Sequence, residues 1–221
     1  MSARALVIGG TGAIGSAVLR GLAKARVPTT FTYRTNEAKA RALSTELDQR
    51  ALALDLTDLA AARAVDLSGM TALVFCAASP LSKDETDAEI TRALTVSVHT
   101  PLVLTRALSG PANVVFVGAL HAGQSLPLSA PFAAAQGALG PLAMALAKEL
   151  GPRDIRVNLV TGGLTKEGFS ASIDPARIAD YERFSALRRL GTPDEIAAPI
   201  LWLALNNTYV SGKVFPANGG I

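Results

Sequence analysis

The sequence predicts an α/β fold of three layers: a doubly wound parallel sheet with helices on both faces. Three observations predict it. Short apolar runs of strand length alternate with amphipathic runs of helical period along the chain. The apolar runs carry few polar alternates, as strands covered on both faces require. The 221 residues show no linker, repeat, low-complexity tract or shift of composition, so residues 1–221 read as one domain.

The elements follow in order. "RALVIGG" reads as a first buried strand and "AIGSAVLRGLAKA" as an amphipathic helix. "TTFTYR" is strand-like and "NEAKARALSTEL" helical. "RALALDL" and "ALVFCAA" are further strands, with a short helix between them. "DAEITRALTVSVHTPLVLTRAL" reads as one long helix and "NVVFVGA" as the next strand. A helix from about Ala133 to Leu150 follows, then the strand "IRVNLVTG". An Arg-rich stretch leads to a C-terminal helix, and "KVFPANGG" supplies a last strand. Gly140-Pro141 predicts a kink, because Pro lacks the N–H donor and crowds the carbonyl one turn back.

Composition narrows the function classes. The chain is 49% hydrophobic with a net charge of +3, and its basic residues are scattered. No basic run supports nucleic-acid binding. The longest apolar run, "IAAPILWLAL", is too short to span a bilayer, and no apolar targeting segment opens the sequence. Cys76 is the only cysteine, which excludes an intrachain disulfide and suits a reducing compartment. These observations predict a cytoplasmic protein with neither membrane nor nucleic acid as partner. Two His and one Cys exclude a His/Cys zinc cluster.

The strand-to-helix turn Gly9-Gly10-Thr11-Gly12-Ala13-Ile14-Gly15 carries the first functional signal. Glycine permits a tight turn and lets a pyrophosphate approach backbone N–H groups at a helix N-terminus. Its place after a first strand and before a helix is the context of a dinucleotide site in a Rossmann-type fold. An acid ending the second strand would bind the ribose 2′-hydroxyl of NAD. Tyr33-Arg34-Thr35-Asn36 stands there instead, and Arg34 suits the 2′-phosphate of NADP. An ordinary surface arginine at a strand end is the alternative reading.

These segments together resemble the short-chain dehydrogenase/reductase family, in pattern the β-ketoacyl-ACP reductases. The turn fits G-x-x-G-x-x-G through Gly9, Gly12 and Gly15. "LDLTD" (residues 54–58) resembles the segment that meets the adenine, through Asp55 and Leu56. "KELGPRDIRVNLVTGG" resembles the stretch leading to the family Pro-Gly, here Thr161-Gly162. "RRLGTPDEIAAPILWLA" and "YVSGKVFPANGG" resemble its last helix and strand. The resemblance implies an NADP site from Gly9, Thr11, Gly12, Ile14, Gly15, Arg34, Asp55, Leu56, Ala77, Ala78, Gly162 and Thr165. It also implies a catalytic Asn, Ser, Tyr and Lys, and this chain has Ser97, Ala119, Phe132 and Gln136 at those positions.

The family chemistry uses a Tyr hydroxyl as proton donor, a Lys that acidifies it and holds the nicotinamide ribose, and a Ser that orients the carbonyl. Phe132 has no proton to give, Ala119 cannot donate, and Gln136 carries no charge. General acid–base catalysis contributes about 10²–10⁴-fold, so the usual reduction should be severely weakened. His121, two residues beyond Ala119, is the candidate replacement base, against the plainer reading of a solvated loop histidine. His99 is a weaker candidate, and Cys76 reads as a buried inert thiol. Ser125 and Ser129 lack an evident base, and Lys166 and Glu167 read as solvated.

Three functions stay open. One is a pseudoenzyme that keeps an NADP-type fold for assembly or regulation, unless cofactor binding too has been lost. The second is a dehydratase, isomerase or cyclase working through His121. The third is an NADPH-dependent reductase with a relocated proton donor. Family dimers form on the two long helices, and the second here is rich in Ala and Gly. A homo-oligomer, or a hetero-oligomer with an active reductase of the same fold, is expected. Arg177, Arg183, Arg188 and Arg189 crowd the stretch that caps the family's substrate site. They would suit an acyl carrier or a coenzyme A thioester.

Overall fold

A computed structural model describes residues 3–79, 86–119, 129–168 and 173–221. Within them, seven strands form one parallel sheet in the order β3-β2-β1-β4-β5-β6-β7. They are β1 (Ala5–Ile8), β2 (Thr29–Tyr33), β3 (Arg50–Ala53), β4 (Ala72–Phe75), β5 (Ala112–Ala119), β6 (Ile155–Gly162) and β7 (Val214–Ala217). The helices are α1 (Ala13–Lys24), α2 (Glu37–Leu47), α3 (Leu59–Arg63), α4 (Asp87–Leu94), α5 (Thr100–Arg106), α6 (Ala130–Gly137), α7 (Leu139–Leu150), α8 (Pro175–Phe184) and α9 (Pro193–Leu205). The strands run outward from β1 to β3, then return to β4 beside β1 and grow the other way. That reversal opens a crevice beyond the C-terminal ends of β1 and β4, where Ile8 pairs with Phe75.

Side chains of β1 divide between two cores. Ala5 and Val7 join residues of α1, α2 and α9 on one face; Leu6 and Ile8 join residues of α5 and α7 on the other. All four are buried, which is why the strand reads as an unbroken apolar run. The three-layer architecture is therefore the one the sequence predicts.

Three elements differ from the sequence reading. The helix expected over 87–108 is interrupted by a π segment, Thr95–His99, in which the Thr100 N–H bonds the Thr95 carbonyl five residues back. Pro101 supplies the reason: it donates no hydrogen bond and its ring would crowd the Ser97 carbonyl, so a wider turn absorbs it. Thr100 Oγ1 then donates to the Leu56 carbonyl at 2.6 Å, tying this turn to the loop after β3. The helix expected from Ala133 starts at Ala130, with Pro131 in its first turn, and breaks at Ala138. The break lies one turn before Pro141, as its missing donor requires. Helix α8 has no counterpart in the sequence reading, because only Tyr181 of it is buried and no apolar stripe announces it.

The stretch 130–153 passes the length and hydropathy test for a membrane span, which a search for unbroken apolar runs overlooks. In the fold one face of the stretch, with Leu139, Ala143, Leu146 and Leu150, is buried in the core beside the sheet, while Met144 is exposed on the other.

Helix α9 opens with a capping box: the Thr192 hydroxyl accepts from the Glu195 N–H, and Glu195 accepts from the Thr192 N–H. Arg189 grips the same carboxylate through two bonds of 2.8 and 2.6 Å. Arg189 first, then the Thr192 N–H, holds the Glu195 carboxyl at about 2, against an ordinary 4.5. A depressed folded-state value means that this contribution is complete above about pH 4.5 and is lost as pH falls through about 2. We expect Glu195→Gln to lower the melting temperature at pH 6. Between pH 5 and pH 2.5 it should lose less than the wild type does. Parallel losses in the two proteins would refute the assignment.

Candidate active site

The glycine turn wraps the end of β1 against the end of β4. Gly9 has a φ of +82°, and a Cβ there would stand 2.8 Å from the Ala77 N. A Cβ on Gly15 would stand 2.3 Å from the Gly9 carbonyl oxygen. Gly9 and Gly10 spend their N–H groups on Thr32, at 3.0 Å to its hydroxyl and 2.9 Å to its carbonyl. Helix α1 then starts at Gly12 with no side-chain cap and no acid in its first turn. Its first N–H groups and the positive end of its dipole thus face the crevice, the chemistry a pyrophosphate needs. Gly162 lies near Ile14, and Gly168 near Ala13, so the loop after β6 closes over the same helix start.

The outer part of the crevice is a cleft of about 650 Å³ lined by Arg34, Thr35, Ala53, Leu54, Asp55, Asp58, Ala61 and Arg92. Arg34 is exposed at its rim. Asp55 is fixed by Thr57, whose N–H and hydroxyl both donate to Oδ1 at 2.9 and 2.8 Å. The Thr57 N–H holds the Asp55 carboxyl below its ordinary range, with a smaller contribution from Arg34. Asp55 Oδ2 carries no hydrogen bond among the described residues. A cradle that any Cβ would fill, an uncapped helix start and an oriented carboxylate with a spare oxygen together fit an adenine dinucleotide.

The inner part joins Ala119, Gln136 and Ser97, three of the four positions that the resemblance aligns with catalytic residues, and the fourth, Phe132, lies one turn before Gln136 in α6. Gln136 Oε1 accepts from the Ala119 N–H at 2.9 Å, and Gln136 Nε2 donates to Ser97 Oγ at 3.4 Å. Gln136, Ser97 and Phe132 are buried. The fold turns the Gln136 amide inward, where it joins the end of β5 to the π segment and to α6. Phe132, on the same helix as Gln136, is buried as well.

Other candidates separate from this cluster. His121 and Ser125 lie outside the described residues. His99 is exposed, as are Lys166 and Glu167, and Cys76 packs against the core, where burial pushes its thiol up to about 12. Thr165 is buried, its hydroxyl donating to the Glu167 carbonyl at 2.7 Å. Tyr181 lines a second cleft, of about 500 Å³, beside Gly163. Its hydroxyl donates to the Asn218 carbonyl at 2.8 Å, and burial raises its pKa. It braces the C-terminal turn rather than offering a proton. The arginine patch is largely engaged: Arg189 with Glu195, Arg183 with Asp180 at 2.9 Å, and Arg188 with the Arg183 carbonyl.

The sequence reading missed Arg92 and Thr57. Thr57 belongs to the quoted "LDLTD", so its role was within reach. Arg92 meets Asp55 only through the fold, 37 positions apart in sequence.

The family model described as enoyl-(acyl carrier protein) reductase matches residues 9–221. The chain belongs to the short-chain dehydrogenase/reductase family. Among curated relatives, a cyclic-di-GMP-binding biofilm dispersal mediator protein of Escherichia coli is 27% identical, across 97% of this chain and 94% of that one. The 3-oxoacyl-[acyl-carrier-protein] reductase MabA of Mycobacterium tuberculosis is 25% identical, across 100% and 93%. A short-chain dehydrogenase from Burkholderia cenocepacia, solved with NADP, superposes with a TM-score of 0.89 at 27% identity, covering 100% of this chain and 98% of that one.

Proposed function

We propose that this member of the short-chain dehydrogenase/reductase family binds NADP(H) in the β1/β4 crevice, has lost ketone reduction, and serves as a non-catalytic partner subunit or regulator. One observation carries the reading: the Gln136 amide is stitched between the Ala119 N–H and Ser97, beside a Phe132 that has no proton to give. Bound NADPH supplies hydride. The chain's own residues bind its phosphates at the α1 start and its adenosine beside Arg34 and Asp55. Of the four family positions only Ser97 keeps a hydroxyl, and that group accepts from Gln136 Nε2 with no acidifying Lys or base beside it among the described residues, so none supplies an activated acid for a carbonyl oxygen.

NADP in a structure of a 27%-identical family member supports the cofactor. A relative named as a ligand-binding mediator supports a binding role for the frame. The outward face of α6 and α7, with exposed Ala133, Ala134, Pro141 and Met144, supports assembly through that face with a second copy or an active reductase. Acyl carriers and coenzyme A thioesters are the ligands of such an assembly, in the cytoplasm. Reaction through His121 is the rival that a bound but unreduced acyl substrate undergoing elimination or isomerisation would favour.

Cofactor choice tests the binding half. In fluorescence titrations NADPH is expected to bind about tenfold or more tighter than NADH, because a charge-assisted contact to the 2′-phosphate contributes about 1.5–3 kcal/mol. Arg34→Ala should erase that preference and leave NADH affinity unchanged. Equal affinities in the wild type would contradict the choice.

A further inference from the structure

The adenosine side of the crevice pairs an oriented acceptor with an oriented donor. Arg92, from α4, lines the cleft with its side chain 31% exposed, and Asp55 faces it at 44%. Arg92 Nη2 lies 3.9 Å from Asp55 Oδ1, an ion pair too long to be a hydrogen bond. The reason is local: Oδ1 already accepts twice, from the Thr57 N–H and hydroxyl. Among the described residues Arg92 makes no side-chain hydrogen bond, so its donors remain unspent. The other carboxylate of the cleft is committed elsewhere, since Asp58 caps α3 through the Ala61 N–H at 2.9 Å. What remains is Asp55 Oδ2, ready to accept, beside the Arg92 guanidinium, ready to donate.

The geometry points to Arg92 as a base-reading residue: with Asp55 it recognises the Hoogsteen edge of an adenine, Oδ2 accepting from the 6-amino group and the guanidinium donating to N7. This rests on the reading that an adenine dinucleotide occupies the crevice. Adenine presents a donor and an acceptor side by side on that edge, whereas guanine presents two acceptors. A 6-oxo base would set its oxygen against the Asp55 carboxylate. Arg92 therefore acts differently from Arg34: one contacts the base, the other the ribose phosphate.

Calorimetric titration with adenosine 2′,5′-bisphosphate, its 7-deaza analogue and its inosine counterpart separates these roles without any turnover. In the wild type, the 7-deaza compound, which lacks the N7 acceptor, is expected to bind about tenfold or more weakly, as loss of a charge-assisted hydrogen bond implies. The inosine compound should be weakened as well. In Arg92→Met the 7-deaza penalty should vanish while the inosine penalty, set by Asp55, persists. A wild type that binds the 7-deaza compound as well as its parent overturns the assignment and leaves the cofactor reading intact. So does an Arg92→Met protein that weakens both compounds equally, which marks a general charge effect. A wild type that binds none of the three overturns both readings.

Discussion

Ser97→Asn, Ala119→Ser, Phe132→Tyr and Gln136→Lys made together are expected to raise NADPH-dependent reduction of a ketoacyl thioester by at least about 10²-fold over the wild type. That is the lower end of what general acid–base catalysis contributes. Phe132→Tyr alone should stay at background, because a Tyr without the Lys is not acidified. The structure adds that Gln136→Lys alone is destabilising. The Ala119 N–H donates to Gln136 Oε1, and a Lys has no acceptor to replace it. An N–H orphaned in that way costs about 1–3 kcal/mol. The Lys would also bring a charge into a site that is only 8% exposed. Restoring Asn at position 97 is therefore part of the design, since Ser97 is the other end of the Gln136 bridge. A quadruple variant that folds, binds NADPH and reduces nothing would mean that pocket shape, and not only its proton donors, has been lost.

Gly15→Val is expected to abolish NADPH binding, by about 10²-fold or more, and to lower stability by about 2 kcal/mol. Overpacking of a tight site costs about 1–3 kcal/mol. Here the new Cβ meets backbone, the Gly9 carbonyl oxygen at 2.3 Å and the Gly10 Cα at 3.0 Å, so a whole turn must move. That turn is where the α1 N–H groups are aimed, so the damage falls on the phosphate site first. Gly137→Ala provides the contrast. Nothing stands within 4 Å of its Cβ position and it lies at the end of α6, so the change should stabilise by about 0.5–1 kcal/mol. Denaturant melts and NADPH titrations on the two variants check both statements. Unchanged NADPH affinity in Gly15→Val would contradict the placement of the dinucleotide.

The layer order of this fold was legible because the central strands β1 and β4 are buried on both faces and helices such as α1 carry an apolar stripe. Residues 5–8 read as a strand for the same reason that they are one. What the sequence hid was contact across the fold. The π segment follows from Pro101, one proline in an otherwise regular helical pattern, and α8 presents almost no apolar face. In the site, Gly9 and Gly15 could be placed from local spacing, and Asp55 from the resemblance carried by "LDLTD". The inward turn of Gln136 could not, since its partners Ala119 and Ser97 lie 17 and 39 positions away. Arg92 escaped for the same reason. Residue type told which chemistry these side chains can supply; only the packing tells which partners they take.

On the proposed reading the crevice is kept and the proton donor is gone. The most direct test mixes the wild-type protein, in excess over NADPH, with a saturating ketoacyl thioester and follows cofactor fluorescence and absorbance together. The expected result is an immediate fluorescence change from bound NADPH and no oxidation of it over many minutes. Oxidation of the bound NADPH at about 1 s⁻¹ or faster, an ordinary enzymatic rate, would contradict it.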